Sequence, residues 1–442
     1  MNEKMMSEES ISKLLLKFGI PAIIGFLITA IYNFVDAVFV GNLGTSAMGA
    51  LAVAFPISMI SIGIGLILGS GAASAVSRLL GQGEIKQANI MSSVACWGSL
   101  FLGILSAIPF IFFMEEILRF FGATETILPY ATDYMYIYIP GLIFNMMTIA
   151  LNHLARAEGA NKTSMNTLLI GAILNIVLDP VFIYTFHLGI KGAAIATDIS
   201  QLLSTILLFR FFYSNKSSIK ISIRYFNLSK QVLFEMAKTG TPNFVVQVLS
   251  GVSMGLINTA AFPYGDGAVA AMGIVNRIFA IGSYIILGFS KGFQPLAGYF
   301  YGARKYNRLK ESLRVSLKWM FSFCIILGIV EILFSNFIVS IFTNDSKVIE
   351  IGVLALRGYS IVFPVFGFQT MILGLFLALG KGKQGLVLSL GRQGIFLIPL
   401  VLILPQLLGL NGVIYCQPIA DVFTALLAIV FYFNYKKELL KM

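Results

Sequence analysis

The sequence predicts an all-α polytopic membrane protein whose twelve transmembrane helices form two similar halves. Hydrophobic residues make up 57% of the 442 residues, charged residues make up 12%, and the mean hydropathy is +0.87. This composition is unlike that of a water-soluble domain. Twelve apolar stretches are each long enough to cross about 30 Å of hydrocarbon as a helix. Landmark residues also recur when the chain is shifted by 221 positions.

The predicted spans cover residues 14–40, 51–77, 91–114, 128–155, 164–186, 190–212, 240–262, 268–300, 313–342, 351–379, 385–406 and 411–434. Several contain Gly, Pro or Asn near the middle, which suits a helix that lines a cavity better than an inert anchor. The longest connection, 213–238, separates the two halves. We therefore expect an N-terminal six-helix lobe over 1–212, a cytoplasmic linker over 213–238 and a C-terminal six-helix lobe over 239–442.

The repeat relates the two halves residue by residue. Gly19-Ile20-Pro21 falls on Gly240-Thr241-Pro242. Further glycines coincide in pairs: Gly71 with Gly292, Gly81 with Gly302, and Gly159 with Gly380. Both copies begin on the same side of the membrane. This is a parallel repeat, an architecture in which one half can rock against the other.

The net charge of +11 follows membrane topology rather than nucleic-acid binding. Basic residues concentrate in loops 78–90, 156–162, 210–238, 301–318 and 380–383. The alternate loops hold only Arg119, Lys191 and Lys347. The positive-inside rule then predicts a multi-pass protein of the plasma (inner) membrane with both termini in the cytoplasm. No cleavable signal precedes the first span, so we expect that span to be retained.

Several function classes find no support in the sequence. No loop is long enough for a nucleotide-binding domain, and the run Gly380–Lys383 lacks the spacing of a phosphate-binding loop. The three cysteines stand alone within spans, and the two histidines are far apart, so we expect neither disulfides nor a metal cluster. We predict no enzyme activity and no cofactor. A pump of this design would draw its energy from an ion gradient.

Four predicted helices of the first half each carry a polar stripe at helical spacing. The stripes are Thr29, Tyr32, Asn33 and Asp36 on the first span; Tyr134, Tyr138, Asn145 and Asn152 on the fourth; Thr167, Gly171, Asn175 and Asp179 on the fifth; and Thr197, Gln201 and Ser204 on the sixth. The simplest packing turns these stripes toward one shared cavity.

The two aspartates are the strongest candidates for function. Asp36 and Asp179 lie in the outer halves of their spans, and their shifted positions hold Ile257 and Leu400. A charged side chain near mid-membrane costs about 2.5–3.5 kcal/mol on insertion scales, so it needs a proton, a cation or water. The pair therefore predicts either a proton acceptor or a Na⁺ site. Asp198 also lies within a span, but we expect it to serve helix packing or the interface.

Proline and arginine positions leave two questions open. Pro180 follows Asp179 directly and removes a helical hydrogen bond, and Pro21 interrupts the first span. These prolines either act as hinges or only shape the bundle. Arg277, Arg357 and Arg392 lie within spans of the second half and fit poorly with a cavity that attracts cations. Their role stays open.

Five segments carry a resemblance to a known family. They are Tyr32-Asn33-x-x-Asp36, Ala155-Arg156-Ala157-Glu158-Gly159, Asn175-x-x-x-Asp179-Pro180, Gly192-Ala193-Ala194-Ile195-Ala196-Thr197, and Gly292-Phe293-Gln294-Pro295-Leu296-x-Gly298-x-x-x-Gly302-Ala303. Together they resemble the multidrug and toxic compound extrusion (MATE) transporters over nearly the whole chain. The resemblance implies two six-helix bundles around a central cleft, with export of small cationic amphipathic compounds in exchange for H⁺ or Na⁺.

The resemblance also implies roles for individual residues. Asp36, Asn175 and Asp179 correspond to a cation-coupling site, a possible Na⁺ site, with Tyr134 and Thr197 as hydrogen-bonding partners. The expected substrate-lining residues are Tyr32, Asn33, Tyr138, Asn145, Asn152, Gln247 and Asn258. The seventh span carries Asn243, Gln247 and Asn258 where some members have acids, and the tenth span has no acid. This departure points to the DinF-like branch of the family.

Two alternatives remain at this stage. A lipid-linked oligosaccharide flippase of related fold would need a cationic cleft, for which Arg357 and Arg392 are candidates. A non-transporting membrane receptor or scaffold is the other. Besides small organic compounds, the expected partners are membrane lipids and no nucleic acid, and we expect a functional monomer.

Overall fold

The computed structural model describes residues 3–214 and 216–441. Residues 1, 2, 215 and 442, which the predicted lobes and linker include, lie outside the described residues. In the described ranges, twelve helices are long and apolar enough to cross a membrane, which confirms the predicted number. We name the membrane side at which the first of these helices begins and the last one ends the terminal side. The opposite side is the far side.

The spanning helices are α1 (Ile11–Gly41), α2 (Thr45–Gln82), α3 (Ile85–Phe120), α4 (Leu128–Ala157), α5 (Asn161–Thr185), α6 (Ile190–Phe212), α7 (Lys230–Tyr264), α8 (Asp266–Gly302), α9 (Tyr306–Leu333), α10 (Ser346–Ala378), α11 (Gly382–Leu408) and α12 (Leu410–Lys436). The helix of α12 continues to Lys441. Two of the spans include a π-helical turn, over Val181–Thr185 in α5 and over Gly391–Phe396 in α11.

The observed helices differ from the predicted spans mainly at their ends. Helices α2 and α3 extend beyond their apolar stretches, because a helix continues past the hydrocarbon into polar sequence. Helix α7 begins at Lys230, so the last nine residues of the predicted linker are helical. The ninth span was predicted to run to residue 342, and this was wrong. Helix α9 ends at Leu333, Phe334 leaves the helical conformation, and a separate short helix follows over Ser335–Ser340.

The two halves repeat one packing pattern. In the first lobe, α1–α6, α1 packs on α5, α2 and α3 pack on α4, and α6 packs on α4 and α5. In the second lobe, α7–α12, α7 packs on α11, α8 and α9 pack on α10, and α12 packs on α10 and α11. Each contact of one lobe has its counterpart in the other, as the shift of 221 residues predicts.

Repeated glycines lie where the lobes touch. A Cβ atom at Gly71 of α2 would lie 2.1 Å from the carbonyl oxygen of Met236 of α7. At the paired Gly292 of α8, it would lie 2.6 Å from the carbonyl oxygen of Phe18 of α1. Gly302, close to the terminal-side end of α8, approaches the backbone of α2 in the same way. Only glycine permits such close backbone approach, so the repeat preserves the contact between lobes.

The hydrophobic core shows where the two lobes pack together and where they separate in space. On the terminal side a single buried cluster draws on both lobes, with Phe18 and Val76 from the first and Phe293 and Phe376 from the second. On the far side there are two clusters, one for each lobe. Gly251, Gly255 and Gly273, on the far halves of α7 and α8, have open space around them. The lobes therefore meet on the terminal side and enclose a central cleft that opens to the far side.

Candidate functional site

The four polar stripes of the first lobe converge between α1, α4, α5 and α6. Asn175 and Asp179 lie one turn apart on α5, and the Asn175 Nδ2 atom donates to Asp179 Oδ1 at 3.3 Å. The same nitrogen lies 3.4 Å from Thr197 Oγ1 of α6. Asp179 is fully buried, and Asn175 is 2% exposed. Small residues permit this approach of the helices, because Gly171 of α5 packs directly on the Ser204 hydroxyl of α6.

Asp36 completes an acidic cluster with these residues. Helix α1 packs along α5, and the Asp36 carboxyl lies within electrostatic range of Asp179. One oxygen atom of each of three side chains is buried without a hydrogen-bond donor: Asp36 Oδ1, Asn175 Oδ1 and Asp179 Oδ2. Carboxylate and amide oxygens are ligands that hard cations prefer. This donor-poor group of acceptors can therefore take up a proton or hold a small cation.

Tyrosines form one wall of the cluster. The rings of Tyr134 and Tyr138 stack with their centroids 5.1 Å apart. Ser58 Oγ of α2 donates to the Tyr138 hydroxyl at 3.1 Å. Tyr32 of α1 lies within electrostatic range of Tyr138 and also of Tyr284 in the second lobe. The aromatic wall thus runs from the acidic cluster toward the facing lobe.

A third carboxyl group, Asp198, belongs to the same region, and sequence reasoning undervalued it. Asp198 follows Thr197 on α6 and lies within electrostatic range of Tyr134 and Tyr138. Its Oδ1 atom is buried without a hydrogen-bond donor, and it packs on Gly141 of α4. It lies off the Thr197, Gln201 and Ser204 stripe, which is why helical spacing did not select it. The signal in the sequence was Gly141 of α4, which follows Pro140 and leaves room for a side chain of a neighbouring helix.

The backbone changes conformation beside Asp179. Pro180 ends the α-helical part of α5, and a π-helical turn follows over Val181–Thr185. Proline has no N–H group, so the regular hydrogen-bond ladder cannot continue through it. The Tyr184 hydroxyl then donates to the Phe39 carbonyl oxygen of α1 at 2.7 Å, three residues after Asp36. The π-helical turn therefore holds the far ends of α1 and α5 together near both aspartates. Pro21 lies buried within a continuous α1.

The other predicted lining residues are distributed over the cleft and the lobe contact. Gln247 Nε2 of α7 lies 2.7 Å from the sulfur of Met59 of α2, which joins the lobes. Asn152 is 3% exposed, accepts a hydrogen bond from Ser164 and lies about 20 Å along α4 from Tyr138. It therefore lies apart from the acidic cluster. The remaining three vary in exposure: Asn33 is exposed, and Asn145 and Asn258 are half-buried.

The second lobe holds a compensated acid instead. Asp421 Oδ1 of α12 accepts hydrogen bonds from Arg392 Nε at 2.6 Å, from Gln369 Nε2 at 2.9 Å and from Gln417 Nε2 at 3.4 Å. The Arg392 guanidinium also lies 4.5 Å from the ring centre of Phe366. Arg357 Nε donates to Ser335 Oγ at 3.0 Å, and Arg277 is exposed. The most deeply placed arginine is thus half of a neutral pair.

Comparison with known proteins identifies the family. The MatE family model matches residues 21–181 and 242–403, two ranges whose starts are separated by the offset of the sequence repeat. The chain is 29% identical to the multidrug export protein MepA of Staphylococcus haemolyticus, over 98% of this chain and 95% of that protein. It is also 29% identical to MepA of Staphylococcus aureus, over 94% of this chain and 92% of that protein.

The fold has solved counterparts as well. A multidrug resistance MATE family transporter of the MOP superfamily, solved in an outward-facing conformation, superposes with a TM-score of 0.93. That match has 25% sequence identity and covers 100% of this chain and 99% of the other.

Proposed function

The chain belongs to the MatE family, and we propose that it is a secondary active antiporter that exports small organic compounds in exchange for H⁺ or Na⁺. Its named relatives are multidrug export proteins. The proposed cargo is cationic and amphipathic, because negative charge and aromatic surface occur together in the first lobe. No catalytic chemistry, cofactor or nucleic acid has a part in this function.

The observation that carries the proposal is the unpaired acidic cluster. Asp36, Asn175 and Asp179 each bury an oxygen acceptor without a donor. Such a group binds a cation or a proton, and it binds a cationic compound less well once it is neutralised. If the ion weakens binding of the compound, the compound weakens binding of the ion equally. The ion and the compound compete for this negative charge, and that competition couples their exchange. Thr197, Tyr134 and Asp198 shape the site.

The proposed orientation follows from the basic loops. With both termini in the cytoplasm of a plasma-membrane protein, the cleft of this structure faces outward. Rocking the lobes would close the far side and open the terminal side, with Pro21 and Pro180 as hinge positions. One charge that moves through about 100 mV releases roughly 2.3 kcal/mol, which supports about a fifty-fold gradient of cargo. The two lobes enclose the cleft within one chain, so a monomer surrounded by lipid is sufficient.

A lipid-linked oligosaccharide flippase of related fold is the less favoured alternative. Its pyrophosphate substrate would need free cations in the cleft. Arg392 is neutralised by Asp421, and Arg357 hydrogen-bonds to Ser335 near the far side. Because both arginines already have partners within the second lobe, they are less available to bind an anionic substrate.

Reconstitution tests the proposal directly. The purified chain is placed in liposomes with either a pH gradient or a Na⁺ gradient, and a fluorescent cationic dye reports transport. We expect dye movement under one of the two gradients, and that gradient identifies the coupling ion. Absence of movement under both gradients would overturn the antiport proposal.

A further inference from the structure

A cluster of basic side chains lies between the lobes on the terminal side, away from the acidic cluster. His153 and Arg156 of α4 and Lys291 of α8 line one small cavity. His153 and Arg156 are each 8% exposed. The cavity is also lined by small residues of α2, by Gln294 and Pro295 of α8, and by Ala378 of α10. Both lobes therefore contribute basic side chains to one small cavity.

These cations have no acidic partner within the ranges that the structure describes. No Asp or Glu lines the cavity. The Lys291 ammonium donates to Asn243 Oδ1 at 2.9 Å, and Arg156 donates to the Ser164 hydroxyl at 2.9 Å, so both partners are neutral. Arg156 and Lys291 are instead electrostatic neighbours of each other and of His153. Two basic groups, one from each lobe, thus line the same buried contact.

The adjacent Arg78 gives a useful contrast. It also lies at the contact between lobes, where it donates to Ser74 Oγ at 2.6 Å and to the Ala378 carbonyl oxygen at 3.0 Å. Arg78 has a carboxylate partner, Glu235 of α7, at 2.6 Å. The same region thus contains one cation with a built-in counter-ion and two cations without one. Burying unpaired charge is costly, so an anion from outside the chain would stabilise the second pair in its charged form.

The size of the cavity restricts what that anion can be. Its volume is about 20 Å³, which is room for one water-sized particle. A monatomic anion fits this volume better than a phosphate or a carboxylate-bearing metabolite does. An ammonium has three donors and a guanidinium has five, so both cations retain N–H groups after their bonds to Asn243 and Ser164. The Gln294 amide of the lining adds a further donor.

We propose that this cavity binds a single small monovalent anion of the chloride class, held by Arg156 of the first lobe and Lys291 of the second. The anion neutralises the repulsion between these two cations and bridges the lobes while they are closed on the terminal side. Separation of the lobes divides the site, so the anion binds only to the conformation of this structure. A ligand that binds one conformation shifts the population toward it. Chloride therefore stabilises the state whose cleft opens to the far side.

Thermal unfolding of the purified full chain tests this site. Chloride is exchanged for gluconate at constant Na⁺ concentration and ionic strength, so that screening and any Na⁺ binding are unchanged. We expect the Tm to rise with chloride and to saturate, as it does for a ligand that binds only the folded protein. Lys291→Met should remove the response. Lys318→Met, at an exposed lysine of α9, should retain it.

Crystals grown in bromide provide a second measurement on the unaltered chain. We expect an anomalous bromide peak between Arg156 and Lys291. The proposal is overturned if the Tm is equal in chloride and gluconate, if Lys291→Met retains the response, or if the cavity holds a water molecule only. None of these measurements uses a transported compound, so their outcome is separate from that of the antiport test.

Discussion

The two lobes share a packing pattern but treat their buried aspartates in opposite ways. In the first lobe, Asp36 and Asp179 each retain a buried oxygen without a donor. In the second lobe, one oxygen of Asp421 has three donors, including the Arg392 guanidinium. The fold was therefore kept in both copies, but the electrostatic balance was not.

This difference separates structural charge from functional charge. A buried acid surrounded by donors is already neutralised and gains little from an additional cation. A buried acid without donors has carboxylate oxygens that lack a partner, and a proton or a cation from solution can provide one. The exchange of ions is therefore expected in the first lobe. The second lobe supplies the facing wall of the cleft and half of the contact between lobes on the terminal side.

The largest expected effect comes from removing the charge of the first lobe. Asp179→Asn should reduce gradient-driven dye transport to the background of empty liposomes, because an amide cannot exchange a proton or neutralise a cation. Asp36→Asn should do the same. Thermal unfolding should show that both variants remain folded, since neither removes a paired charge.

A matched acid in the same lobe controls for the loss of charge alone. Asp133, near the far end of α4, is half-exposed and pairs with Lys191 at 3.1 Å. Asp133→Asn should transport at the rate of the unaltered chain. Normal rates in Asp36→Asn or Asp179→Asn would exclude these residues as the coupling site.

The second expected effect is on stability and belongs to the second lobe. Asp421→Asn leaves the half-buried Arg392 without its counter-charge, and breaking such a pair typically costs about 3–5 kcal/mol. The double change Asp421→Leu with Arg392→Met removes both charges and should recover most of that loss. Denaturant unfolding in micelles measures both values. An Asp421→Asn variant as stable as the unaltered chain would show that the pair contributes little.

Much of this architecture was predictable from the sequence. Hydropathy predicts the twelve helices, and the repeated glycines predict the two similar halves. Helical spacing brings Asn175 and Asp179 onto one face of α5, where the structure places them one turn apart. These features are local, or they repeat at a fixed offset, so one sequence is enough to reveal them.

Contacts between distant helices were not predictable in this way. Asp421 pairs with Arg392 across 29 positions, and nothing in either helix alone indicates the partner. Asp198 lies one residue off its stripe and reaches the site only because α6 packs on Gly141 of α4. Lys291 lines a cavity formed by both lobes, which its position within one span does not reveal. Each depends on how two helices meet.

The linker between the lobes is hydrogen-bonded to the first lobe. Glu158, after α4, is 6% exposed and accepts hydrogen bonds from the Ser217 hydroxyl at 3.0 Å and the Ser218 N–H at 2.8 Å. Asn89 of α3 accepts from the Lys220 N–H at 2.8 Å. At the repeated position, the second lobe has Leu379 and no equivalent acceptor. One lobe therefore holds the connection between both.

The smallest expected effect is a pH dependence of this attachment. Burial raises the pKa of the Glu158 carboxyl from 4.5 to about 7, although the bonds from Ser218 and Ser217 favour the charged form. Between these values the folded chain retains a proton that the unfolded chain releases, so stability falls as the pH rises from about 4.5 to 7. The full contribution is at most about 3 kcal/mol.

Replacing the carboxyl group isolates this contribution. Glu158→Gln should flatten the slope of unfolding free energy against pH in that window, because the amide does not titrate. Glu84→Gln, at an exposed glutamate of the loop between α2 and α3, should leave the slope unchanged. Since Glu158 lies far from the acidic cluster, Glu158→Gln should also leave the coupling ion of dye transport unaltered. An unchanged slope in Glu158→Gln would mean that another group of the chain titrates there.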